Sequence, residues 1–176
     1  VALPISKLDV VVVSHFDSDH YNAIKWLAVD VKIKHLISTD IRVINSLSIV
    51  ADESTLLNST GDFLGGQTLP PSCQLWGQHL PGAGDNERSL VMFGAIDGCR
   101  FCLTGDLEGE GLDRLLARRT DPFDILLVPH HGSLHSLPAD VAQWGRPKWA
   151  VISGGWRDRH VEVAAAYRRL GAHVLH

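Results

Sequence analysis

Apolar positions along the chain alternate between two rhythms, short β-branched runs and stripes spaced by three or four, which predicts layered α and β elements. Residues 8–14 (LDVVVVS) form a continuous β-branched run, the mark of a strand buried on both faces of a sheet. Ile24, Leu27 and Ala28 fall at helical spacing within 20–29, and 33–38 reads as a second strand. Thr39 can cap a helix carrying Ile41, Ile44, Leu47 and Val50 on one stripe. There the pattern breaks. Residues 53–72 hold Gly61, Gly65, Gly66, Pro70 and Pro71 and are expected as a loop insertion beside a cleft. Residues 73–80 and 88–95 are strand-like, and Asp97-Gly98 is a hairpin signal joining the latter to 99–104. A βα rhythm then resumes. It gives a helix from about Leu107 with Leu112, Leu115 and Leu116, a strand over 123–128, and a helix opened by Ser136 and Pro138. A strand over 148–153, a helix over 161–170 closed by Gly171, and a last strand from His173 complete it.

The length of 176 residues suits one domain with one main core, and 45% hydrophobic with 20% charged residues excludes a disordered, collagen-like or coiled-coil chain. The longest apolar runs fall far short of the roughly 20 residues that span a bilayer, and no charged segment followed by an apolar one reads as a signal peptide. A net charge of −4 excludes a global positive field, so any anionic ligand must be held locally. Three cysteines form no disulfide framework. Cys99 and Cys102, three apart in a strand, point to opposite faces and read as core filling, as does Cys73.

Ten histidines change the picture. Three stretches directly follow predicted strands: SHFDSDH at 14–20, TGD at 104–106 and VPHHGS at 128–133. Sheet edges present catalytic groups at such places. Together they offer four histidines and three aspartates, the donor types that hold zinc, manganese or iron, in a number that suits two ions sharing a carboxylate. Alternate residues of an extended loop point the same way, so His15 and Asp17 can grip one metal while Asp19 and His20 turn to a second. Taken singly, Asp19 and Asp106 read as helix caps and any one histidine as a hydrogen-bonded residue; it is their combination that points to metal.

SHFDSDH resembles the signature of the metallo-β-lactamase superfamily, with Asp17 where many members have a second histidine. That variant, with LTGD and VPHHGS, resembles the C-terminal domain of ComEC-type DNA-internalisation competence proteins. The likeness extends to SLVM at 89–92, PKWAVIS at 147–153 and HVEV at 160–163. It implies a single α/β domain over 1–176 of the αβ/βα sandwich type, incomplete at both ends because the family's opening strands and a full last strand are lacking. By resemblance, His15 and Asp17 hold one ion, Asp19, His20 and His131 the other, and Asp106 bridges them, with two divalent ions, manganese or zinc, as cofactor. His130 would face the substrate, although the sequence leaves open which of His130 and His131 binds metal. The family's His-Pro-His-Pro-Glu-Val is reduced here to 159–163, which leaves His160 as its counterpart, and its Gly-Gly is replaced by Tyr21-Asn22-Ala23.

The activity implied is a metal-dependent phosphodiesterase or nuclease acting on single-stranded DNA during uptake. Asp19, His130 and His160 would be catalytic, and the domain would be tethered to a membrane channel of the bacterial cytoplasmic membrane within the same parent protein. No nucleotide cofactor is indicated. Phosphate contacts would have to come from local cations. Arg157 and Arg159 flank His160, and Trp156 in its glycine-rich loop could stack on a base. Arg114, Arg118, Arg119, Arg168 and Arg169 read instead as solvated helix faces. Two other readings stand beside this one: the same centre acting on a small phosphodiester or an ester, and a non-catalytic domain that binds DNA or a protein partner.

Overall fold

Consecutive parallel strands need crossovers, and the helices of this chain supply them on the outer faces of two sheets. The computed structural model describes residues 5–57, 61–64, 69, 72–155 and 159–176. The first sheet is parallel, in the order β1 (Lys7–Val13), β2 (Lys32–Ser38), β3 (Ala51–Leu56). Helices α1 (Ser18–Asp30) and α2 (Ile41–Leu47) connect these strands. The second sheet has seven strands. Its antiparallel half is β4 (Gly61–Leu64), β5 (Cys73–Gly77), β6 (Val91–Ile96) and β7 (Cys99–Leu103). From β7 it continues in parallel through β8 (Ile125–Leu127), β9 (Trp149–Val151) and β10 (His173–Leu175). Helices α3 (Gly109–Leu116), α4 (Pro138–Gly145) and α5 (Arg159–Arg168) alternate with these strands.

Three apolar clusters define the layers. Val13, Ile24, Leu36, Val43 and Leu47 pack α1 and α2 on one face of the first sheet. Its other face, through Val10, Val12 and Ile37, meets Leu75, Leu90, Met92 and Phe101 of the second sheet and the segment leading into β6. Cys102, Leu112, Leu126, Val141, Ala150, Val163 and Tyr167 pack α3, α4 and α5 on the far side. The result is the expected αβ/βα sandwich. Among the described residues no helix is long and apolar enough to cross a membrane.

The structure departs from the sequence expectation at several ends. The stretch 53–72, expected as a loop, contains the last residues of β3 as well as β4. β3 is an edge strand with Asp52, Glu53 and Ser54 exposed, so no apolar alternation announces it. Asp40 rather than Thr39 caps α2, accepting from the Arg42 backbone N–H at 2.7 Å. Ser136 does not cap α4: its hydroxyl donates to the carbonyls of Pro129 and Ser133, and Leu137, in a left-handed conformation, precedes Pro138. α1 begins at Ser18, so Asp19 and His20 lie in its first turn.

Candidate metal centre

Parallel strands end at the same edge of a sheet, so the residues following β7 and β8 lie together, and those following β1 of the first sheet meet them there. Backbone bonds join these loops. The Leu90 N–H donates to the Ser14 carbonyl at 2.9 Å, linking the first sheet to the second, and the His130 N–H donates to the Gly105 carbonyl at 3.1 Å. Gly105 has φ +55, and a Cβ there would stand 3.0 Å from that of Ser14, so the turn bearing Asp106 needs glycine for both conformation and space. His130 and His131 are themselves left-handed, at φ 49 and 50, a costly conformation for a side-chain-bearing residue.

Asp106 lies at the middle of the group. It is 5% exposed. Its Oδ1 is 3.2 Å from Nε2 of His20, and its Oδ2 is 3.5 Å from Nε2 of His131 and 4.0 Å from Nε2 of His15. Nε2 of His130 is 3.9 Å from the same Oδ2. Asp17 occupies the position before α1 where a carboxylate ordinarily caps the first turn, yet its side chain makes no capping bond. Its Oδ2 instead stands 3.5 Å from His15 Nε2. Asp19 Oδ2 is 3.3 Å from His131 Nε2 and 3.9 Å from His20 Nε2.

Each imidazole is anchored through Nδ1, which leaves Nε2 to face the carboxylates. Ser14 Oγ lies 2.9 Å from Nδ1 of His15 and 3.3 Å from that of His20. Ser89 Oγ is 3.1 Å from His15 Nδ1 and also accepts from the Asp106 N–H. Ser153 holds Nδ1 of His131 through its hydroxyl and carbonyl, and Glu108 Oε2 holds Nδ1 of His130 at 2.8 Å. Partners of this kind fix the orientation of a metal-binding histidine. Ser14, Ser89, Ser153 and Glu108 were not singled out in the sequence. The first three lie within or at the end of the motifs quoted above, but a lone serine carries no signature of its own.

The electrostatics follow from this packing. Burial pushes the Asp106 carboxyl up, but contact with His20 and the nearby His131 and His15 rings outweighs it and holds the group below the ordinary carboxylate range. The attraction of Asp106 raises His20 against its own burial. Burial, then the neighbouring His20, pushes His15 down, so His15 favours the neutral form that can donate a lone pair.

The donor set fits a metal. Nε2 of His15, His20 and His131 is buried and has no partner of hydrogen-bond geometry, although a carboxylate oxygen stands within 4.0 Å of each. Three converging, buried imidazole nitrogens without hydrogen-bond partners are costly unless a cation takes them up. Two groups could each hold an ion: His15, His20 and Asp106, and Asp19, His20 and His131. His20 stands in both, with its ring centroid 4.2 Å from that of His15, and its one free Nε2 can serve a single ion.

The remaining expected residues lie apart or outside the description. His160, at the start of α5, is 1% exposed, and its ring lies 5.1 Å from that of His176; a Cβ on Gly132 would stand 3.1 Å from it. Neither metal-type group includes it. Trp156 and Arg157 fall outside the described residues, and Arg159 opens α5. Trp76 is buried in the core, as are Cys73 and Cys102.

A four-layer αβ/βα sandwich with a carboxylate-centred histidine cluster at its strand ends defines a class of protein with a candidate metal site. Within that class the chain is homologous to ComE operon protein 3 of Bacillus subtilis, 29% identical over 184 residues and 97% of this chain. The likeness to the competence proteins thus holds over nearly the whole sequence. The chain spans 24% of the length of that relative. No family model matches. Among solved structures it is similar to a metallo-β-lactamase superfamily protein of Thermotoga maritima, with a TM-score of 0.34 and 14% identity over 68% of this chain and 57% of that one.

Proposed function

We propose that the chain is the phosphodiesterase domain of a DNA-uptake protein and cleaves single-stranded DNA with two divalent ions. The observation that carries this reading is the Asp106 carboxylate, met on both oxygens by imidazole nitrogens that lack hydrogen-bond partners. His15 and Asp17 would hold one ion, and Asp19, His20 and His131 the other, with Asp106 between them. Such ions, when bound, activate water for attack and neutralise the charge that builds on phosphate. Ser14, Ser89 and Ser153 keep the rings turned so that Nε2 remains available. His130, held by Glu108 and 29% exposed, is the ring placed to meet the substrate and donate a proton or hydrogen bond toward the departing oxygen. His160, which the resemblance would also make catalytic, supports the turn at Gly132 in this reading. Asp17 and Asp19 make the set rich in oxygen donors, which favours manganese over zinc. By the resemblance to the competence proteins, the domain would work beside the membrane channel of its parent protein.

The experiment is cleavage of a labelled single-stranded oligonucleotide by the chain with manganese or zinc, alongside Asp106→Ala. Metal-dependent cleavage that falls at least about a thousandfold in the variant is the expected result. Hydrolysis of a small chromogenic phosphodiester with intact DNA would overturn the substrate and keep the centre. Inertness toward both, in a chain that binds the metals, would overturn the enzymatic reading.

A further inference from the structure

A second concavity opens against the same histidine that faces Asp106. It measures about 480 Å³, within the roughly 300–1,000 Å³ common for ligand sites, and is lined by His15, Asp40, Arg42, Gln78, Asp85 and Arg88 among others. It lies where β1, β2 and β3 end, on the side of His15 toward α2. None of its charged residues belongs to the motifs that point to metal.

Arg42 is fixed before anything binds. Its Nε and one terminal nitrogen donate to the Asp40 carboxylate, and its Cζ sits 4.6 Å above the ring of Phe16, the residue after His15. Phe16 in turn stacks on Tyr21 with ring centroids 4.8 Å apart. The guanidinium is thereby tied to the loop that carries the metal-type residues. Arg88 reaches in from the other wall, and terminal nitrogens of both arginines donate to a single oxygen, Oδ1 of Asp85. Two guanidinium groups on one anionic oxygen is the arrangement that grips phosphate, and Asp85 carries the same single charge as a phosphodiester. Exchange of one for the other leaves the charge at the arginines unchanged. At the floor, Gln78 is 3% exposed; its Nε2 donates to the Gly111 carbonyl while its Oε1 has no partner. That buried acceptor is left for water or for a donor group brought into the cleft.

We propose that Arg42 and Arg88 form a clamp for the backbone phosphate next to the scissile one, with Asp85 as the internal anion that the incoming strand displaces. This deepens the phosphodiesterase reading and rests on it for the nature of the strand. It also places strand recognition on the α2 side of the centre rather than at Arg157 and Arg159.

The test measures binding apart from cleavage, by fluorescence anisotropy of a labelled single-stranded oligonucleotide with the 176-residue chain in chelator, over a range of salt. Arg42→Ala and Arg88→Ala are each expected to weaken binding about tenfold and to lower the salt slope by about one, the signature of one lost phosphate contact. Asp85→Asn is expected to tighten binding, because it removes the competitor and keeps the shape. Lys34→Ala, an equal loss of charge at an exposed site beside Asp9, should leave binding as it was. Thermal melts identify any variant that fails to fold, and Arg88→Lys, which keeps the charge, should retain more binding than Arg88→Ala. Equal binding by all variants, no binding by the parent chain, or a loss with Asp85→Asn as large as with the arginine variants would overturn the clamp, the last by making the cluster a scaffold. Binding that follows the expected signs in a chain that cleaves nothing when metals are restored would retain the clamp and overturn the phosphodiesterase reading alone.

Discussion

Ser89 is uncharged and wholly buried, yet one hydroxyl serves two residues of the centre: it meets Nδ1 of His15 and accepts from the backbone of Asp106. The hydroxyl sets which His15 nitrogen faces inward and fixes the turn that presents the carboxylate. Losses of such supporting partners lower metal affinity by about 10–100-fold in known sites. Ser89→Ala should do the same here while the melting temperature of the metal-free chain falls only slightly, as metal titration and thermal melts would establish; unchanged affinity would remove Ser89 from the site. This degree of detail is beyond the sequence. A histidine beside aspartates announces donor chemistry by itself, whereas Ser89 and Glu108 acquire meaning only through contacts that fold closure creates. Arg42 and Arg88 are further cases, joined on Asp85 by the meeting of two distant segments.

Elements were more legible than residues, for a physical reason. The β-branched run LDVVVVS marks β1 as a strand, although it stands at an edge of the first sheet with only Val13 fully buried instead of being buried on both faces as expected, and Asp97-Gly98 takes the left-handed pair that a tight hairpin demands, with φ 50 and φ 80. β3 and β4 are edge strands without such an apolar run, which is why ADESTL in β3 and the glycine-flanked β4 read as loop. The convergence of the loops after β7 and β8 was also legible, because parallel neighbours in one sheet bring their ends to one edge, whereas the arrival of the loop after β1 depends on how the two sheets pack. What periodicity does not contain is the tightness of that edge, and two glycines allow it to be measured. Gly98 has φ +80 with open space around it, whereas Gly105 has φ +55 and Ser14 and Ser89 within 3.3 Å of where a Cβ would be. Gly98→Ala should cost about 1–2 kcal/mol, the penalty of the left-handed conformation alone. Gly105→Ala adds crowding and should cost about 1–3 kcal/mol more. Urea unfolding of the two variants decides it: equal losses would mean that the Asp106 turn has room to relax.

For the molecule as a whole, the centre is a joint between sheets as well as a site. His15 and His20 follow β1 of the first sheet, while Asp106 and His131 follow β7 and β8 of the second. An ion bound only by the folded chain at 100 times its dissociation constant adds about 2.7 kcal/mol of stability. At about 2–4 °C per kcal/mol for a chain of this size, saturating manganese or zinc should raise the melting temperature by about 5–10 °C, and chelator should reverse it. A shift that survives Asp106→Ala would place the stabilising ion elsewhere.

Each metal-type group draws on both sheets, so neither half of the chain possesses one alone. The arrangement works as a lock with two keys. A ribosome-bound or partly unraveled chain carries every donor but no assembled group, and the capacity to grip an ion stays out of reach until the last long-range contact closes.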